Sequence, residues 1–128
     1  MNERYIRQTM IPEIGEAGQE KLKNAKVLIV GIGGLGSPIS LYLTAAGVGQ
    51  IGLIDDDIVS RSNLQRQILY TEAEIGQSKV ECACRRLSAL NSSTRFETYL
   101  NRFTSDNADR LVSAYDIIID GCDHAATR

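Results

Sequence analysis

Lys26-Val27-Leu28-Ile29-Val30-Gly31-Ile32-Gly33-Gly34-Leu35-Gly36 is an apolar run that passes directly into four glycines within six positions. A run without polar alternation suits a strand buried on both faces, as in a parallel sheet covered by helices. The glycines permit a tight turn and let the backbone approach a ligand more closely than any side chain would. Ser37-Pro38 comes next, and proline is tolerated in the first turn of a helix, where its missing N–H would have no partner. Strand, glycine turn and helix start together build an anion site from backbone N–H groups and the helix dipole.

A glycine fingerprint alone is a weak signal, and its surroundings decide it. Gly31-x-Gly33-x-x-Gly36 is followed by a second apolar run, Ile51-Gly52-Leu53-Ile54, that ends in Asp55, 19 positions after Gly36. That is where a strand-end carboxylate meets a ribose hydroxyl in nucleotide-binding βαβ units. Asp55-Asp56-Asp57 would repel one another. An exposed loop tolerates them in water, but at the end of a buried strand beside a glycine turn a ribose, a metal ion or both explains them better.

The bulk numbers bound the rest. At 128 residues the chain suffices for one domain with a core. A content of 43% hydrophobic and 23% charged residues is that of a soluble globular protein. A net charge of −2 argues against a general nucleic-acid or anionic-membrane surface. No apolar segment follows Met1-Asn2-Glu3-Arg4 as in a signal peptide, and no run is long enough to span a bilayer, so the cytoplasm is the expected location. Cys82, Cys84 and Cys122 make no disulfide or metal framework. Cys84 is expected in the core, on an apolar stripe with Val80, Leu87 and Leu90.

Residues 1–25 read as an N-terminal arm, with Arg4 and Arg7 sharing a face if it is helical, a turn or a poor helix start at Gly15 to Gly18, and a helix from Gln19 to Asn24. Residues 26–128 read as the main domain. After the first strand, Ile39 to Ala46 is apolar nearly all round and predicts a buried helix. Ser60 to Leu69 predicts a short capped helix with Asn63, Arg66 and Gln67 on one face and Leu64 and Ile68 docking on another. A helix follows from Gly76-Gln77-Ser78-Lys79 to about Leu90, with Lys79 in the first turn, where the dipole disfavours a cation unless an anion is held nearby. Thr94 to Leu100 predicts a strand, Ser105 to Val112 a helix, and Tyr115 to Asp120 another strand buried on both faces. The order α, β, α, β, α, α, β, α, β is that of a doubly wound, Rossmann-like α/β fold with a mainly parallel sheet and helices on both faces. The sequence ends at Arg128, just past a strand where a helix is expected, and so reads as truncated.

Ligands of this fold sit outside the carboxyl ends of the strands, which gathers the glycine turn, Asp55 to Asp57 and Asp123 around one crevice. A triphosphate carries more charge than a dinucleotide and recruits cations and a divalent metal. Arg66 and Lys79 can supply the cations, and Asp123 or Asp57 can hold Mg²⁺, so the balance of charges favours ATP over NAD. An NAD(P)-binding oxidoreductase domain and a non-catalytic dimerisation module remain the alternatives.

The motifs Arg4-Tyr5-x-Arg7-Gln8, Gly31-x-Gly33-Gly34-x-Gly36, Asp55-x-Asp57, Ser62-Asn63-Leu64-Gln65-Arg66-Gln67, Gly76-x-x-Lys79 and Asp120-x-x-Asp123 occur in that order. In this the chain resembles, over essentially its whole length, the ThiF/MoeB/HesA family, bacterial relatives of ubiquitin-activating E1 enzymes. The resemblance implies an adenylyltransferase that uses ATP and Mg²⁺ to activate the C-terminal glycine carboxylate of a ubiquitin-like sulfur-carrier protein, for thiamine or molybdopterin biosynthesis. It implies that Gly31, Gly33, Gly34 and Gly36 line the nucleotide, that Asp55 takes the ribose, that Asn63, Arg66 and Lys79 face the phosphates, and that Asp57, Ser62, Leu64 and Gln65 also belong to the cofactor site. It further implies Mg²⁺ on Asp123, and Arg7 reaching into a partner subunit's ATP site in a homodimer. The catalytic set is then Arg66, Lys79, Asp123 and Arg7. The family's usual Thr-Asp-Asn is here Cys122-Asp123-His124, which makes His124 a neighbour of the site rather than a general base. The family's Cys-x-x-Cys zinc pairs have no counterpart in this sequence.

Overall fold

The computed structural model describes residues 3–121. Four parallel strands, β1 (Lys26–Val30), β2 (Gln50–Ile54), β3 (Arg95–Tyr99) and β4 (Ile117–Asp120), form one sheet in the order β3-β2-β1-β4. The helices are α1 (Ile6–Thr9), α2 (Gly15–Asn24), α3 (Gly36–Ala46), α4 (Lys79–Leu90) and α5 (Ser105–Ala114). The chain steps outward from β1 to β2 to β3 and then crosses back to β4 on the far side of β1. Because strand crossovers are right-handed, reversing the direction of travel moves the crossover helix to the opposite face of the sheet.

The register sorts the core accordingly. Val27 pairs with Ile51 and Ile29 with Leu53, and these side chains share a face with Val80, Ala83 and Leu87 of α4 and with Ile39 and Leu43 of α3. Leu28, Val30 and Ile54 point the other way, toward Leu111 of α5 and Tyr115. Leu28, Ile29, Ile51 and Leu53 are all fully buried, each contributing about 1.5–3 kcal/mol relative to exposure. Gly52 opens the second face: a Cβ there would stand 2.3 Å from the Tyr115 hydroxyl, which bonds Tyr99 at 2.9 Å. No helix of the described residues is long and apolar enough to cross a membrane.

Several expectations are corrected. Helix α4 buries Cys82, with no exposed surface, and leaves Cys84 half-buried. Cys82 falls between Val80 and Ala83 on the sheet-facing side, and Cys84 turns toward Ser88 on the outside. Helix α3 fully buries its small residues Ser37, Ser40 and Thr44 and exposes Tyr42, so it is not buried all round. Small side chains there let the helix lie close behind the glycine turn. Among the described residues β4 is the outermost strand on its side of the sheet, and Ile117 there is half-exposed, against the expected burial on both faces. The short helix expected in the 60–69 segment is only a three-residue 3₁₀ helix, Arg61–Asn63, capped at Ser60 and not continued toward Leu69. Asn63 Oδ1 accepts from the Ser60 N–H at 3.0 Å and closes that turn, after which the chain buries Gln67, Leu69 and Tyr70 and leaves Ile68 exposed.

The arm is anchored. Tyr5 is buried and its hydroxyl accepts from Asn91 Nδ2 at 2.7 Å, while Gln8 and Gln19 both donate to the Ala46 carbonyl at 3.0 Å. Of the two readings of Gly15 to Gly18, the helix start holds: these residues open α2.

Candidate functional site

The strand order reverses between β1 and β4, and a cleft of about 630 Å³ opens beyond their carboxyl ends. This is the topological switch point, where an open α/β sheet leaves a crevice between diverging loops. The glycine turn forms its floor.

The four glycines of that turn do different work. Gly31 adopts φ +88°, a left-handed backbone that disfavours side chains. A Cβ at Gly36 would lie 2.0 Å from the Gly31 carbonyl oxygen, so Gly36 closes the turn onto α3 and does not line the cleft. Gly33 and Gly34 face the cleft, and neither has positive φ. A Cβ at Gly34 would meet only the Arg66 side chain at 3.8 Å, and one at Gly33 only the Gln67 carboxamide at 3.4 Å. The fold does not require glycine at these two positions. A ligand lying on the backbone would.

Ile32, buried between Gly31 and Gly33, is pinned from two sides. Its N–H donates to Asp55 Oδ2 at 2.8 Å, and its carbonyl accepts from the Tyr70 hydroxyl at 2.6 Å. Burial foremost, and then the Asp55 carboxylate, raise the Tyr70 phenol far above its ordinary range, so it stays a donor. Asp55 Oδ1 accepts from the Asp57 N–H at 2.9 Å, so this carboxylate ties the end of β2 to the turn. Each of its oxygens keeps a second lone pair for a hydroxyl.

Opposite the turn stand the cations. Arg66 is exposed, lies across Gly34 and donates to the Ser62 carbonyl at 3.0 Å. Lys79 is 4% exposed at the first position of α4, and Asp57 Oδ2, at 3.5 Å, is its nearest acceptor. An ammonium has three donors and costs free energy both to bury and to place at a helix N-terminus. One long contact to a carboxylate that is itself 63% exposed offsets little of that. An anion in the cleft would offset more. Asn63 also lines the cleft, its Oδ1 occupied by Ser60.

The cleft therefore brings together Gly31, Gly33, Gly34, Asp55, Asp57, Asn63, Arg66 and Lys79. Ser62, Leu64 and Gln65 do not line it. Arg7 is exposed on α1, which is tied to the C-terminal end of α3, about 16 Å from the turn at the helix rise per residue. Asp123 and His124 lie outside the described residues. Among the described residues no group of three His, Cys, Asp or Glu converges on a metal position, Asp55 to Asp57 included. Sequence reading did not assign Gln67, Tyr70, Asn101, Arg102 or Phe103 to the site. The last three follow β3 and form the far wall, with Arg102 paired to Asp56 at 3.7 Å. The available signal was positional: any loop leaving the carboxyl end of a strand of this sheet reaches the crevice.

Fold and cleft together define a Rossmann-like α/β domain, doubly wound about one switch point. The chain belongs to the ThiF family, whose profile matches residues 5–128. It is 48% identical over 126 residues to the sulfur carrier protein adenylyltransferase of Thermus thermophilus, covering 98% of this chain and 46% of that protein. It is also 48% identical to a probable adenylyltransferase/sulfurtransferase MoeZ of Mycobacterium tuberculosis, covering 98% of this chain and 32% of that one. The chain thus spans less than half the length of these curated relatives. Among solved structures, E. coli MccB with ATP superposes with a TM-score of 0.85 at 34% identity, over 98% of this chain and 39% of that one. E. coli tRNA N6-threonylcarbamoyladenosine dehydratase, TcdA, in complex with ATP gives a TM-score of 0.85 at 32% identity, over 88% and 47%.

Proposed function

We propose that this chain is the nucleotide-binding part of an adenylyltransferase that uses Mg·ATP to activate the C-terminal glycine carboxylate of a small ubiquitin-like sulfur-carrier protein in the cytoplasm, in thiamine or molybdopterin biosynthesis. The observation that carries the nucleotide is the juxtaposition of a side-chain-free backbone at Gly33 and Gly34 with the under-compensated buried Lys79. The choice of carrier protein rests on the relatives named for it at 48% identity. The dehydratase among the structural neighbours bears a different name for its reaction on the same fold, which is why fold alone does not select the substrate.

In this reading the α-carboxylate oxygen of the carrier attacks the α-phosphorus, the bond to the β-phosphate oxygen breaks, and pyrophosphate leaves with that electron pair. An acyl-adenylate remains. No side chain has to act as nucleophile, so catalysis is positioning and charge neutralisation. The glycine turn would hold the phosphates, Asp55 would take the ribose, Asn63, Arg66 and Lys79 would face the polyphosphate, and Asp123 would be the Mg²⁺ ligand. Arg7 is one helix length away from its own chain's cleft, which supports its acting in the cleft of a second copy in a homodimer.

Calorimetric titration with Mg·ATP, run beside NAD, tests the reading. Saturable ATP binding that is lost in Arg66→Ala, with no NAD signal, is the expected result. Binding of NAD in place of ATP would refute it.

A further inference from the structure

Gln67 is a carboxamide without a hydrogen bond in the wall of this cleft. The residue is 4% exposed, it lines the cleft, and its Oε1 is buried with no donor. Buried side-chain amides in folded proteins are bonded in the large majority of cases, and an unbonded one at a concave site points to a ligand. Its Nε2 stands 3.4 Å from the point a Gly33 Cβ would occupy, as the preceding Arg66 stands over Gly34. Two consecutive side chains thus roof two consecutive glycines.

We infer that Gln67 binds the polyphosphate directly: its NH₂ donates to a phosphate oxygen lying on Gly33 and Gly34, beside the Arg66 guanidinium. The inference rests on the ATP reading above and deepens it. No turn of the amide is needed, because Nε2 is the end that already stands over Gly33 and it is the end that can donate to a phosphate oxygen. A neutral donor suits this position. Lys79 is already a buried cation close by, and a second desolvated charge would be costly, whereas an amide supplies a hydrogen bond to the anion without one.

The test titrates the wild-type chain, Gln67→Glu and Gln67→Met with Mg·ATP and with adenosine, which lacks every phosphate. Glutamate keeps the shape and replaces the donor with an acceptor of the ligand's own charge. Gln67→Glu is expected to bind ATP at least about tenfold more weakly while adenosine changes by less than about twofold. Gln67→Met, which removes the carboxamide without adding charge, is expected to lose about three- to tenfold for ATP alone, and it carries the test if the glutamate variant does not fold. ATP affinity unchanged in the variants, or an equal loss for ATP and adenosine, overturns the inference and leaves the nucleotide reading standing. A wild-type chain that binds no ATP overturns both.

Discussion

One alanine substitution at Gly34 and one at Gly36, two positions apart in the same motif, are expected to have opposite effects. At Gly36 the added Cβ would lie 2.0 Å from the Gly31 carbonyl oxygen and 3.0 Å from its carbon, both backbone atoms. Neither can rotate away, so the turn must separate from α3. Overpacking of a core costs about 1–3 kcal/mol, and a backbone obstacle belongs at the upper end. For a domain of this size about 3–5 °C of Tm is lost per kcal/mol, so Gly36→Ala should melt about 5–15 °C lower. At Gly34 the Cβ would meet only Arg66 side-chain atoms at 3.8 Å, an ordinary contact with a flexible chain, and the backbone is not left-handed. Gly34→Ala should therefore fold as well as the wild type, and can gain about 0.4–1 kcal/mol through the unfolded chain's lost freedom. Its methyl would occupy the ligand's place on the backbone, and ATP affinity should fall about tenfold or more. Thermal unfolding followed by circular dichroism and titration with Mg·ATP separate the two effects. Gly34→Ala that binds ATP normally would refute the assignment of Gly34 to a ligand, and Gly36→Ala that melts with the wild type would refute the packing argument.

Two further predictions test the electrostatics. Lys79→Met removes a buried cation from a helix N-terminus and leaves Asp57 hydrated, its side chain being 63% exposed. Tm should stay level or rise, because placement against the dipole alone costs about 0.3–1 kcal/mol, while ATP binding is lost; a Tm well below wild type would show instead that the ion pair stabilises the fold. The second concerns alkali. Burial raises the phenols of both Tyr70 and Tyr115 above their ordinary value of 10.0, so the folded state holds protons the unfolded chain releases. Stability is then fully present below pH 10 and falls as pH rises beyond it, by up to about 1.4 kcal/mol per pH unit for each phenol. Urea unfolding at pH 9, 10 and 11 should show this decline, and Tyr115→Phe should make it shallower; an unchanged slope in that variant would exclude Tyr115 as a source.

Local chemistry made much of this molecule readable in advance. The continuous apolar runs at Val27 to Val30 and Ile51 to Ile54, the glycines after the first and the aspartate after the second determine two buried parallel strands and a turn suited to phosphate, because each signal is contained within a few consecutive residues. The same holds for α4 and α5, whose caps at Ser78 and Thr104 stand next to the helices they start. What the tertiary structure alone decided depends on neighbours distant in sequence. Periodicity placed Cys84 in the core, and the angle at which α4 meets the sheet buries Cys82 instead. The division of labour among the glycines was likewise hidden: only folding brings Gly31 and Gly36 into contact and leaves Gly33 and Gly34 open beneath Gln67 and Arg66. Tyr70 reaches Ile32 across 38 positions. A sequence specifies which residues can bury, turn or carry charge, and close approach of distant backbone specifies which of them do.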